Sequence, residues 1–441
     1  MSSPSPVEAG PRRVLSLSAA ALVVLVAEPL YLLVDTAVVG RLGALPLAAL
    51  AVGAVVLAQV SSLGTFLAYG TTARAARAFG AGDRERAVAE GVASTWLALG
   101  AGAVVVLVGQ VLARPLADLL GAGGGISDAA VSWMRIALCG APGILVAMAG
   151  NGWMRGVQSA RAPVVVVLSG NVASALVCPV LVHGLGPVPA LGLDGSAIAN
   201  VGAQGVVTGL FVLALVREGA PLTPVPADMR AQLGLGRDLL LRSLAFQACF
   251  LSATAVAARS GTSSLAAHQV VLQLWVFMTT VLDSLAIAAQ SLVGAALGRS
   301  AASDARGVAR RVTGYALVLG AAAALVFALL ADTLPRLFTP DADVRATIPQ
   351  AWWFFVALQP VAAYVFALDG VLLGAGDAAY LRRISVCTAL GGFLPLIWLS
   401  LALGWGLAGV WAGLSLFVLG RAVAVGLRVR GDRWMVLGAA A

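Results

Sequence analysis

The chain has 441 residues, of which 60% are hydrophobic and only 11% are charged. Soluble globular domains carry about 25% charged residues, so this composition excludes a soluble enzyme, a nucleic-acid-binding protein and a disordered scaffold. The net charge of +8 comes from arginines that stand between long apolar runs, which indicates a membrane protein with orientation signals. The sequence contains no lysine, which excludes a P-loop ATPase.

Apolar runs long enough to span a bilayer recur along the whole chain. A spanning helix needs about 20 mostly apolar residues, whereas a β-barrel would alternate apolar and polar residues in shorter segments. The runs are continuous, so we predict an all-α integral membrane protein. Its twelve predicted transmembrane helices are 14–39, 47–70, 88–113, 126–149, 163–185, 195–216, 238–260, 264–294, 310–334, 346–374, 380–403 and 405–427.

The arginines predict the orientation of these spans. With twelve spans both ends of the chain lie on one side, and 22 of the 28 basic residues fall on that side. Cytoplasmic loops are rich in arginine and lysine. We therefore expect a multi-pass protein of the cell inner (plasma) membrane with both termini in the cytoplasm.

The chain is predicted to consist of two halves. The longest polar connector, 217–237, contains three prolines and lies near the middle of the sequence. It predicts a cytoplasmic linker between an N-terminal six-helix lobe, 14–216, and a C-terminal six-helix lobe, 238–427. Six helices per lobe is an even number, which predicts parallel repeats and a substrate cavity between the lobes.

An internal repeat supports this division. Residues 36–53 align with residues 254–271 at an offset of 218, and nine of the eighteen positions are identical. The same offset aligns Gly152 with Gly370 and Gly156 with Gly374. Chance similarity is the alternative, because alanine and leucine are frequent throughout. Pairs of small residues four apart also predict close helix packing.

Four acids lie deep within predicted spans, where ionisable groups are costly and usually mark function. Glu28 and Asp35 are two helical turns apart, so they share one face of the first helix, and Pro29 between them loosens the backbone hydrogen bonding. A carboxyl group in a low-dielectric environment can exchange a proton near neutral pH. The alternative is a structural acid that hydrogen-bonds a neighbouring helix. No arginine is predicted beside Asp283 and Asp369, so we expect both to form an ion site in the C-terminal lobe.

Segment 28–43 (EPLYLLVDTAVVGRLG) resembles the multidrug and toxic compound extrusion (MATE) family, and within it the DinF-like subfamily. The resemblance implies a twelve-helix antiporter that expels organic, often cationic, compounds in exchange for protons or sodium ions. The resemblance extends over the whole chain except its termini. Further matching stretches are 155–158 (RGVQ), 195–199 (GSAIA), 265–269 (LAAHQ), 282–290 (LDSLAIAAQ) and 368–374 (LDGVLLG).

The resemblance also implies roles for single residues. Asp35 matches the aspartate that binds the coupling proton, and Glu28 shares its helix face. Asn171 and Asn151 match polar residues of the fifth and fourth spans. Ser174 and Cys178 stand where the family has an asparagine and a second carboxylate. Two further departures are Asn200, where a threonine is usual, and Ala20, where a proline linked to bending of the first helix is usual.

We therefore predict a proton-coupled exporter that works by alternating access, with sodium as the alternative coupling ion. The expected partners are small organic, cationic or amphipathic substrates and the lipid bilayer, and no nucleic acid. No cofactor, metal or catalytic residue is expected, and the oligomeric state is left open. A flippase for lipid-linked or amphipathic molecules is an alternative that fourteen spans would favour. A membrane-embedded enzyme would need a nucleophile and base, or metal ligands, that converge in the membrane.

Overall fold

The computed structural model describes residues 10–120, 123–219 and 221–438, so the expected cytoplasmic termini lie outside the described residues. Within these ranges the chain is almost entirely helical, and the all-α prediction is confirmed. The helices are α1 (Pro11–Gly40), α2 (Ala44–Gly80), α3 (Arg84–Leu119), α4 (Gly124–Leu138), α5 (Ala141–Gly156), α6 (Arg161–His183), α7 (Leu193–Arg217), α8 (Pro226–Arg259), α9 (Thr262–Gly298), α10 (Ala302–Leu329), α11 (Leu334–Phe338), α12 (Ala342–Thr347), α13 (Pro349–Gly374), α14 (Ala378–Thr388), α15 (Leu394–Ala402) and α16 (Gly406–Arg430).

The described residues contain eleven helical segments long and apolar enough to cross a membrane, α14 and α15 being counted as one. A twelfth is the pair α4 and α5, which is bent by 47° at a short break. Gly140 lies in this break, and Pro142, in the first turn of α5, has no N–H to continue the helical ladder. Counted as one bent span, the pair completes the twelve helices that the sequence predicts.

Prolines lie inside several long helices, namely α1 (Pro29), α3 (Pro115), α6 (Pro179) and α13 (Pro360), and one more, Pro395, follows the break between α14 and α15. In α1, which is continuous through Ala20 and Pro29, the proline leaves the carbonyl of Leu25 without its usual helical partner. Between α14 and α15 the chain widens into a π-helical segment, Ala389–Phe393, just before Pro395. A π-turn is a common way for a long helix to accommodate such a break.

The chain divides into two compact units. One is Ala19–Gly234, and the other is Leu235–Ala441 together with Met1–Ser18. The predicted linker, 217–237, is partly helical, because α8 already begins at Pro226. Proline is favoured at the first position of a helix, where its missing N–H costs nothing.

The beginning of α8 is held in the N-terminal unit by a buried polar network. Glu90 of α3 accepts two hydrogen bonds from Arg74 of α2, at 2.7 and 2.6 Å. The amide of Gln232 donates to both the side chain and the backbone carbonyl of Glu90, at 2.9 and 3.0 Å. Asp228 lies 3.3 Å from Arg74. This network pairs the buried carboxylate with a cation, as its burial requires.

The internal repeat is visible in the helix packing of each unit. Gly152 of α5 lies against the backbone of Ala68 in α2, and Gly370 of α13 lies against the backbone of Ala286 in α9. A Cβ atom at either glycine would approach the neighbouring backbone to well under 3.0 Å. The partners Ala68 and Ala286 are themselves 218 positions apart, so the offset found in the sequence describes equivalent contacts. The predicted close packing at these glycines is confirmed.

Candidate functional site

Asp35 lies on α1 within the N-terminal unit and is buried, with 3% of its surface exposed. The thiol of Cys178, on α6, donates a hydrogen bond to Asp35 Oδ1 with an S···O distance of 3.3 Å. The hydroxyl of Ser196, on α7, lies near the same carboxyl group. Ser196 is oriented in turn by the indole N–H of Trp133, which donates to its oxygen at 2.8 Å. Side chains of α6 and α7 therefore lie at this carboxyl group, and α4 orients one of them.

A second hydrogen bond joins α1 to α7 one helical turn before Asp35. The amide of Asn200 donates to the phenolic oxygen of Tyr31 at 3.3 Å, and Ser174 of α6 lies beside the same phenol. Tyr31, Ser174 and Asn200 are all buried. The structure thus brings four of the sequence-predicted residues, Asp35, Cys178, Ser174 and Asn200, into one cluster.

Glu28, on α1, and Asn171, on α6, contact groups outside this cluster. Glu28 accepts a hydrogen bond from Ser61 of α2 at 3.2 Å, and its side chain is exposed on the surface of the unit. Asn171 of α6 donates to the backbone carbonyl of Ala27 at 3.0 Å. Asn171 therefore ties α6 to α1 beside Pro29, where the helical hydrogen bonding is already weakened.

Asn151 lies on α5 and is buried, with 8% of its surface exposed. Its carboxamide oxygen has no hydrogen-bond partner among the described residues. Its place in the coupling network stays a prediction. Asp283, on α9 of the C-terminal unit, is half-buried, and its role in an ion site also stays a prediction.

Asp369 corrects the expectation that no arginine lies near it. On α13 it is 3% exposed, and its Oδ2 atom contacts Arg242 of α8 at 2.6 Å and Arg421 of α16 at 2.5 Å. The prediction of an unpaired acid here was wrong because the two arginines come from helices far away in sequence. With two guanidinium groups on one carboxylate, the surroundings of Asp369 repel a cation.

Aromatic rings enclose the two arginines. The guanidinium of Arg421 lies over Phe246 at 4.8 Å and over Phe417 at 5.7 Å, and that of Arg242 lies 5.3 Å from the Phe246 ring. The two rings meet edge to face at 5.6 Å. Cation–π contacts of this kind help to stabilise buried guanidinium groups.

Sequence reasoning missed Tyr31, Ser196, Arg242 and Arg421. Tyr31 could have been found from its spacing, since it lies four residues before Asp35 and hence on the same helix face. The two arginines lie inside apolar runs, which is itself a signal of function. They were interpreted only as orientation signals.

Comparison with known proteins identifies the family. The MatE family model matches the chain twice, over residues 20–180 and 239–399, which also confirms the internal repeat. The chain belongs to the MatE family of multidrug and toxic compound transporters. It is therefore a transporter and not an enzyme.

Individual relatives agree with this assignment. The chain is 32% identical to Protein DETOXIFICATION 44, chloroplastic, of Arabidopsis thaliana, over 96% of this chain and 83% of the relative. It is 31% identical to DNA damage-inducible protein F of Escherichia coli, over 88% and 85% of the two chains, which confirms the DinF-like resemblance. A MATE crystal structure in the bent conformation superposes with a TM-score of 0.86 at 21% identity, covering 96% of this chain and 95% of that one.

Proposed function

We propose that the protein is a proton-coupled exporter of small organic compounds and that Asp35 carries the proton. The observation that supports this most directly is the surroundings of Asp35. Among the described residues the polar groups beside it are neutral, namely the Cys178 thiol that donates to it and the Ser196 hydroxyl nearby. An enclosed carboxyl group with neutral partners can be neutralised by a proton, and exchange of that proton is what coupling requires.

Asp35 and Asp369, one buried acid from each unit, differ in this respect. Asp369 is held in ion pairs by two guanidinium groups, at 2.6 and 2.5 Å. Asp35 has no such ion pair among the described residues. Of the two, Asp35 is the one suited to bind and release a proton during transport.

Cys178 supports a site with a single carboxylate. It occupies the position where the family resemblance implies a second acid, and it donates its proton to Asp35 in a hydrogen bond. A thiol is a weak donor and a poor substitute for a carboxyl group. We infer that this cluster exchanges one proton per transport cycle.

One proton supplies enough free energy for useful export. Movement of one charge across 100 mV releases about 2.3 kcal/mol, and a gradient of one pH unit adds about 1.4 kcal/mol. Since each factor of ten in concentration costs about 1.4 kcal/mol, the sum supports a gradient of roughly a few hundred-fold for a neutral substrate. A monovalent cation leaves against the same potential, which takes back about 2.3 kcal/mol and leaves a gradient of about tenfold.

The arginine distribution supports a location in the cell inner membrane with both termini in the cytoplasm. The bacterial DinF relative is compatible with that membrane, whereas the plant relative is named as chloroplastic. Substrates that are organic and cationic or amphipathic follow from the family resemblance. Sodium remains the alternative coupling ion, and the test below separates it from the proton.

The test is Asp35→Asn in reconstituted vesicles, with ethidium as the probe and pH and sodium gradients imposed separately. The substitution keeps the size of the side chain and removes its titration. We expect normal yield and melting temperature, with export driven by the pH gradient lost. The matched control is Asp343→Asn in α12, an exposed acid, which should leave export unchanged. Wild-type export by Asp35→Asn that still collapses with a protonophore would refute the assignment, and export driven only by sodium would refute proton coupling.

A further inference from the structure

The cluster of Arg242, Asp369 and Arg421 carries more positive than negative charge. Both arginines contact the same oxygen, Asp369 Oδ2, so their guanidinium groups lie close to one another. The other oxygen, Asp369 Oδ1, and the Nε atoms of both arginines are enclosed and have no hydrogen-bond partner among the described residues. The side chains of Arg421 and Asp369 are only 6% and 4% exposed. The cluster therefore holds one uncompensated positive charge and spare hydrogen-bonding capacity.

The nearest acids along these helices are already engaged elsewhere. Asp238, one turn before Arg242, pairs with Arg382 at 2.7 Å. Asp377, just beyond the end of α13, pairs with Arg428 at 2.7 Å. An uncompensated buried charge is costly, and the cost is removed when an anion binds beside it.

The Nε–H groups of Arg242 and Arg421 are available to a ligand, because neither has a hydrogen-bond partner among the described residues. The guanidinium carbon of Arg242 lies over the Phe246 ring, and that of Arg421 lies over the rings of Phe246 and Phe417, as in cation–π contacts. The N–H groups of arginine project in its plane, in a fork that matches a carboxylate or phosphate. The same two rings offer apolar surface to the organic part of such a ligand.

The cluster is peculiar to the C-terminal unit. At the repeat offset of 218, Arg242 corresponds to Val24 and Asp369 to Asn151. The equally long helices α7 and α16 are 213 positions apart, which sets Arg421 opposite Thr208. The N-terminal unit thus has no charged counterpart at these three positions. A brace required by the helix packing common to both repeats would not need these charges.

We propose that Arg242 and Arg421 bind the acidic group of an organic anion, such as a carboxylate, and that aromatic organic acids are among the transported substrates. The second part rests on the proposed transport function. Asp369 brings both guanidinium groups to one oxygen, Oδ2, and the amide oxygen of an asparagine at this position can still accept their hydrogen bonds. The net charge of the three groups favours an anion over a cation.

The experiment measures equilibrium binding to the purified full-length protein, without any gradient, by titration calorimetry. The probes are 1-naphthoate and 1-naphthylmethylammonium, which share a ring system and differ in the sign of their charge. Wild type should bind the acid more tightly than the amine. Arg242→Gln leaves one arginine paired with Asp369, so it neutralises the cluster, and it should weaken naphthoate binding at least tenfold.

Two further variants separate binding from bracing. Asp369→Asn adds one positive charge to the cluster and should keep or raise the affinity for naphthoate. Arg259→Gln is the matched control, because Arg259 lies on the same helix and stacks on Trp398 at 5.3 Å without contacting Asp369. It should bind both probes as wild type does.

Three results would overturn the proposal. The first is that the wild-type protein binds the amine as tightly as the acid or more tightly. This result does not depend on the folding of any variant. Another is an equal loss of affinity for both probes in Arg242→Gln and Asp369→Asn, as expected of a purely structural brace. The third is binding of inorganic phosphate, used as a separate probe, without binding of naphthoate. Since these measurements use no gradient, their failure is distinct from a failure of proton-driven ethidium export.

Discussion

The close contact at Gly370 predicts a large and specific loss of stability in Gly370→Ala. The new Cβ would lie 2.7 Å from the Cα atom of Ala286, and the neighbouring backbone carbonyl lies closer still. Ordinary contact begins at about 3.4 Å, so α9 and α13 would have to separate by roughly 0.7 Å or more. The obstacle is backbone on both sides, and it cannot be relieved by rotation of a side chain. Overpacking of this kind costs about 1–3 kcal/mol or more.

The intrinsic effect of the substitution has the opposite sign. Alanine in place of glycine within a helix stabilises it by about 1 kcal/mol where nothing is in the way. Gly314 in α10 of the same unit meets no atom within 4 Å, so Gly314→Ala is the matched control. We expect Gly370→Ala to lower the melting temperature of detergent-solubilised protein by several degrees, and Gly314→Ala to leave it unchanged or raise it. Equal melting temperatures for the two variants would show that α9 and α13 do not pack as described.

Further predictions concern the polar clusters of the N-terminal unit. Cys178→Ser keeps a hydrogen-bond donor to Asp35, and Cys178→Ala removes only a weak donor, so both variants should retain proton-driven ethidium export. Loss of coupling in both variants, with normal folding, would mean that the thiol itself carries the proton. Glu90→Gln removes the buried partner of Arg74 and should destabilise the protein by on the order of 3 kcal/mol. Its control, Glu218→Gln, breaks a pair whose arginine is 79% exposed and should change the melting temperature little; similar losses in both variants would contradict the special role of burial.

Much of this architecture could be predicted from the sequence, because helix length and apolarity are local properties. The twelve spans, the repeat offset and the association of Asp35 with Cys178, Ser174 and Asn200 all rest on local patterns or on a motif. The bend between α4 and α5 escaped prediction, since glycine and proline are frequent in membrane helices that do not bend as sharply. The sequence analysis also did not predict that α8 begins within the linker.

The charge state of the C-terminal cluster could not be predicted in the same way. Arg242 and Arg421 lie 127 and 52 positions from Asp369, and only the packing of α8, α13 and α16 brings them together. An arginine near the end of an apolar run has two interpretations, an orientation signal or an ion-pair partner. Sequence position alone does not choose between them.

The matching glycine contacts constrain how the two halves of this gene could have diverged. Ala68 and Gly152 are separated by the same number of residues as Ala286 and Gly370, although the second interval contains the short helices α11 and α12 and the first does not. At the offset of 218, α11 falls opposite 116–120 at the end of α3, and α12 falls opposite 124–129 at the start of α4, so the two copies differ in where their helices break and not in length. A duplicated ancestor would explain this equal spacing. After the duplication, the neighbours of Asp35 became neutral groups and those of Asp369 became arginines.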